Sequence, residues 1–127
     1  MYSLTDKHIT PHSKIFGFVD SKYITYMVRK GERPIATFAP WAFGSCAVHG
    51  VYGLTEEFFR DLQGVIKFLL SPHDDLSWAP KELYILLGVY QQHRNKDKML
   101  ALPGCKLIDD FDNRSHGGHV YLYRISV

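Results

Sequence analysis

Cysteine is scarce in this chain: Cys46 and Cys105 are the only two among 127 residues. Two thiols without C-x-x-C spacing build no zinc ribbon, and their density is far below that of a small secreted disulfide scaffold. A reducing compartment is the expectation. An excess of one charge sign is also missing, since 15 Lys and Arg against 13 Asp and Glu leave a formal net charge of +2. That balance gives no general electrostatic case for a nucleic-acid partner or an anionic membrane surface. Long apolar runs are absent too. Met1 to Lys14 holds no apolar signal-peptide core, and no segment approaches the roughly 20 apolar residues that a membrane helix needs. The expectation is a soluble cytoplasmic protein with no membrane partner. Neither an internal repeat nor a low-complexity segment interrupts the chain.

What is present is apolar and aromatic: 46% hydrophobic residues, with eight Tyr and eight Phe. At this length that content fills one core, so a single domain over 1–127 is expected, with 22–127 as its body and 1–21 as an arm or short element. The centre of the pattern lies between Ser45 and Tyr90. Ser45 to Tyr52 is a short apolar run rich in β-branched and aromatic residues, closed by Gly53, and reads as an inner strand. From Thr55 the period changes. Phe58, Phe59, Leu62, Val65, Ile66, Leu69 and Leu70 recur at spacings of three and four, while Arg60, Asp61, Gln63 and Lys67 take the other face. Thr55 as N-cap, Glu56 and Glu57 in the first turn, and Ser71-Pro72 as a stop predict one helix from Thr55 to Leu70. Leu83 to Tyr90 is a second apolar strand, and a strand-helix-strand crossover of this kind places its two strands in parallel.

Around this unit the chain alternates. Lys22 to Arg29 and Pro34 to Ala39 form a hairpin about the turn Lys30 to Arg33, and with Ser45 to Tyr52 they make an antiparallel meander. Arg94 to Leu102 reads as a second helix with Met99 and Leu100 turned inward and Pro103-Gly104 as its stop. Cys105 to Phe111 and Val120 to Val127 pair as a final hairpin across the Gly-rich turn. The expected fold is therefore α+β, a mixed and mostly antiparallel sheet with one central parallel βαβ step.

That element order, with Gly104-Cys105 leading into a closing hairpin, resembles the GCN5-related N-acetyltransferase family, and in particular small acetyltransferase-like proteins of bacteriophages. The resemblance covers about Lys22 to Val127 and implies N-terminal helices truncated to some twenty residues. It implies an acetyl-CoA-dependent N-acetyltransferase in a host cytoplasm or a virion, with an amine as acceptor. The pantetheine arm of acetyl-CoA is then held by the strand backbone at Ala47 and Val48, and the pyrophosphate by the turn Gly53, Leu54 and Thr55. Helix-start amides carry partial positive charge, the physical reason such a turn takes an anion. Asn95 corresponds to the family's Asn at the next helix, among Arg94, Lys96 and Lys98. The turn itself reads His49-Gly50-Val51-Tyr52-Gly53-Leu54-Thr55, without the family's basic first position and paired glycines, and Glu56 and Glu57 follow it directly. This departure supports an alternative, a catalytically inactive scaffold of the same fold that serves as a virion component or binds a host protein.

Acetyl transfer needs a base for the amine and an acid for the leaving thiolate. His49 on the central strand is the candidate base, and Tyr90, at the end of the next strand, or Tyr121 and Tyr123 on the last strand, are candidate acids. Each has a plainer reading as a hydrogen-bonded strand-end histidine or a packed ring. Cys46 reads as a small buried hydrophobe rather than a nucleophile. The pairs His8/His12 and His116/His119 lie on an irregular arm and a Gly-rich turn, so no metal site is expected from them. Trp41, Phe43 and Trp78 form either a satellite core or, if exposed, a partner surface.

Overall fold

The computed structural model describes residues 1–15, 18–43, 50–73, 81–113 and 117–126, with side chains described outside 9–24 and 40–43. Seven strands and three helical segments follow in the order β1 (Tyr2–Ile15), β2 (Phe18–Lys30), β3 (Arg33–Phe43), β4 (Gly50–Tyr52), α1 (Glu56–Arg60), α2 (Leu62–Leu69), β5 (Glu82–Gly88), α3 (Val89–Leu100), β6 (Cys105–Asn113) and β7 (Gly118–Ser126). They make one sheet in the order β1-β2-β3-β4-β5-β7-β6. Every neighbouring pair is antiparallel except β4 and β5, where Gly50 lies beside Tyr84 and Val51 beside Ile85. The expected α+β class and the single parallel step are both present.

Period-two alternation divides the sheet into two apolar faces. Leu83, Ile85, Leu87, Tyr123 and Ile125 join Val28, Phe38 and Val51 in the larger cluster, which receives Phe58, Phe59, Leu62, Val65, Ile66 and Leu69 from α1 and α2 and Met99 from α3. The intervening positions Leu86, Val120 and Leu122 form a smaller cluster with Ala39, bordered by Tyr52, Tyr84 and Phe111.

Several boundaries differ from expectation, each for a local reason. The N-terminal arm is a full strand, because Tyr2 to Ile15 finds an antiparallel partner in β2 that local sequence does not announce. Between Thr5 and His8 a bulge, with Asp6 at φ 55°, breaks the alternation there. The single helix Thr55 to Leu70 is two segments, broken at Asp61 (φ −132°, ψ 58°). Asp61 accepts a hydrogen bond from the Tyr2 hydroxyl at 2.6 Å, and its carboxylate lies over Gly64, where a Cβ would sit 2.3 Å from an Asp61 oxygen. Thr55 holds the N-cap position of α1 as expected, but its hydroxyl makes no cap bond and donates to the Ile35 carbonyl instead, at 3.2 Å. The second helix begins at Val89, five residues before the expected Arg94, so Tyr90 lies in its first turn and not at a strand end. Met99 faces inward as expected, whereas Leu100 is exposed. Gly104 has φ 75°, and a Cβ there would lie 2.5 Å from the Ser126 carbonyl, so the entry into β6 requires glycine.

Leu69 is wholly buried where α2 meets the sheet. Leu69→Ala is expected to lower the unfolding free energy by about 2–5 kcal/mol, measured by urea denaturation; a loss under about 0.5 kcal/mol means that α2 does not seal this core.

Candidate functional site

Parallel strands leave their carboxyl ends side by side, and in open sheets with a crossover helix that is where ligands settle. Here the chain leaves β4 through Gly53, Leu54 and Thr55 into α1, and leaves β5 directly into α3. Gly53 adopts φ 63°, which an L side chain tolerates poorly, and this lets the chain turn off β4.

The polar groups of this turn bond within the chain. The Thr55 N–H donates to the Ile35 carbonyl at 3.0 Å, and the Leu54 carbonyl accepts from Gln91 Nε2 at 3.4 Å. Gln91 Oε1 in turn accepts from Asn95 Nδ2 at 2.7 Å. A relay from Asn95 through Gln91 to Leu54 thus ties α3 to the turn. Asn95 is 2% exposed. Outside the relay, Arg94 Nε lies 3.6 Å from Glu56 Oε1, and its guanidinium carbon stands 5.4 Å from the Tyr90 ring centroid. Glu57 is ringed by cations, with Arg60 at 2.9 Å, Lys30 at 3.8 Å and Arg33 at 3.9 Å. Tyr90 stays open to solvent, at 62% exposure.

Five of the eight sequence-derived positions therefore meet at the carboxyl ends of β4 and β5: Gly53, Leu54 and Thr55 on the turn, Tyr90 and Asn95 on α3. Ala47, Val48 and His49 lie outside the described residues, as do Cys46, His116 and Trp78 and the side chains of Trp41 and Phe43. The residue that sequence reasoning missed is Gln91, which connects the turn to Asn95. An i, i+4 Gln–Asn pair is a recognisable helix signal, hidden here because the helix expected from the sequence starts after Gln91. Of the other tyrosines, Tyr123 is fully buried and donates to Gln92 Oε1 at 2.5 Å; burial pushes its phenol up.

A second titratable cluster lies on the closing hairpin. His119 Nδ1 is 2.8 Å from Asp112 Oδ1 and His119 Nε2 is 2.8 Å from Asp110 Oδ1. Ionised carboxylates only accept, and a neutral imidazole has one N–H, so only the imidazolium satisfies both. Hydrogen bonds to Asp112 and then Asp110 hold its pKa above the ordinary histidine value. No group of three or more His, Cys, Asp or Glu among the described residues is arranged to hold a metal ion. No described helix is long and apolar enough to cross a membrane.

Comparison with protein-family models, curated proteins and solved structures returns no match.

A histidine pKa raised on folding stabilises the folded state fully below the unfolded value, about 6.5, and this contribution is lost as pH rises through the raised one. His119 is expected to titrate above 6.5 by proton NMR, and Asp112→Asn to bring it down; an unchanged midpoint in the variant refutes the clasp.

Proposed function

We propose that this chain is a catalytically inactive protein of the acetyltransferase-like fold that works as a binding scaffold, as a virion component or a host-protein-binding factor. The phage attribution rests on the sequence resemblance alone. The observation that supports this reading is the turn between β4 and α1, where the Thr55 amide is already bonded within the chain. An anion held there needs free amides and a positive approach. The Thr55 amide is instead committed to Ile35, and Glu56 and Glu57 bring two carboxylates to the same helix start. A pyrophosphate would have to displace the Thr55 bond and compete with Glu56 for Arg94 and with Glu57 for Arg60. Asn95, expected beside the nucleotide, is buried against Gln91.

A second reading keeps the enzyme. Tyr90 stands exposed beside the crevice, where a phenol can protonate a departing thiolate. In that reading acetyl-CoA lies between the carboxyl ends of β4 and β5, with His49 as the base for an amine acceptor.

Calorimetric titration with acetyl-CoA at low salt separates the two. The scaffold reading expects no measurable heat and no thermal stabilisation at millimolar cofactor. Micromolar binding that is abolished by Gly53→Glu, together with an acetyl-transfer rate lowered by His49→Ala, overturns it in favour of the enzyme.

A further inference from the structure

We propose that β6 is a pairing edge for a second copy of this chain, joined antiparallel about a two-fold axis between Leu107 and Ile108. The proposal is independent of whether the protein binds acetyl-CoA.

Among the described residues the strand lies at the end of the sheet and pairs only with β7, so its outer edge offers backbone groups to another strand, although the Asp110 N–H already donates to Asp109 Oδ1 at 2.8 Å. A two-fold axis imposes self-complementarity, because each residue of the strand must suit its symmetry-related opposite. About this axis Lys106 faces the second copy's Asp109, Leu107 faces Ile108, and the same contacts repeat in reverse.

Side-chain direction normally forbids such a register. Residues three apart on a regular strand point to opposite faces, so Lys106 and Asp109 could not both serve one cross-strand pair. The bulge between Leu107 and Asp109 removes the obstacle. Lys106 pairs with Arg124 and Asp109 with Leu122; Arg124 and Leu122 are two apart on β7 and share a face, so Lys106 and Asp109 share it too. The extra residue is what makes the strand match its own inverse.

Charge argues the same way. Within one copy Lys106 stands opposite Arg124, a like-charge pair that is unfavourable across a ladder, and among the described residues neither has an ion pair. Asp109 stands opposite the apolar Leu122. The second copy supplies a carboxylate to each Lys106 and a cation to each Asp109. Asp110 and Asp112 do not disturb this balance, because His119 already engages both. Leu107 and Ile108, each 39% exposed, become buried together at the axis.

The other edge of the sheet does not compete for β6. In β1 the left-handed Asp6, and Pro11 with no N–H to donate, interrupt the ladder that a new strand would need.

Sedimentation equilibrium over a concentration series tests the pairing, with circular dichroism confirming that each variant folds. The wild-type chain is expected to dimerise. K106D and D109K alone should each raise the dissociation constant about ten-fold or more. The double variant K106D/D109K, which restores opposite charges across the axis, should dimerise as the wild type does. An equimolar mixture of the two single variants should form heterodimers, since one strand is then wholly acidic and the other wholly basic at these positions. A wild-type chain that stays monomeric up to its solubility limit overturns the proposal, as does a dimer that the single charge reversals leave unchanged.

Discussion

The parallel contact between β4 and β5 is the constraint on which the other elements depend. Parallel neighbours cannot be joined by a tight turn; the chain must travel back along the sheet, and the returning segment has to be covered on one side by apolar surface. The residues between Tyr52 and Glu82 make that return, and α1 and α2 within them place six large side chains on the sheet. Among the described residues the backbone register across the step is two residue pairs long. Side chains also join the meander β1 to β4 to the block β5, β7, β6. Phe58, Val65 and Leu69 share one cluster with Phe38 and Val51 on one side of the step and with Leu83 and Ile85 on the other.

The break at Asp61 fits this task. A straight helix presents a flat stripe, whereas a twisted sheet offers a curved surface. Interrupting the helix after Arg60 divides the stripe into Phe58 and Phe59 on one segment and Leu62, Val65, Ile66 and Leu69 on the next. Tyr2 secures the junction from the far edge of the sheet, packing on Phe68 while its hydroxyl reaches Asp61. Both partners register the contact. The carboxyl is held below its usual range, chiefly by the phenol hydrogen bond, and the phenol is pushed up to about 12, first by burial and then by that carboxylate. The first strand, the helix break and the Glu57 cation ring thus lie together at one corner.

Much of the fold was legible wherever one period dominated. Phe58 to Leu69 reads as an amphipathic helix because its apolar spacing and its charged face agree, and Leu83 to Leu87 reads as a buried strand because nothing polar interrupts it. Legibility failed where long-range partners decide the structure. Tyr2 to Ile15 is polar and carries Pro11, and only the ladder to β2 makes it a strand. The Val89 to His93 turn of α3 carries two glutamines whose value lies in reaching Leu54 and Tyr123, contacts that no local pattern encodes. The neighbourhood of the candidate site was readable from topology; its chemistry was not. A glycine turn followed by a helix announces an anion cradle, but whether its amides remain free depends on Ile35, twenty residues earlier in the chain.

The sheet order separates synthesis from assembly. β7 is made after β6 but lies between it and β5, so until β7 emerges β5 presents an open, highly apolar edge and β6 has no neighbour among the described strands. A nascent chain stalled before Gly118 would hold a finished meander and helix beside an unfilled slot one strand wide, a template for any extended segment of another chain. Gly104, whose carbonyl accepts the Ser126 N–H at 3.2 Å and which leaves no room for a Cβ beside the Ser126 carbonyl, ties the start of β6 to the end of β7 and so holds the slot filled.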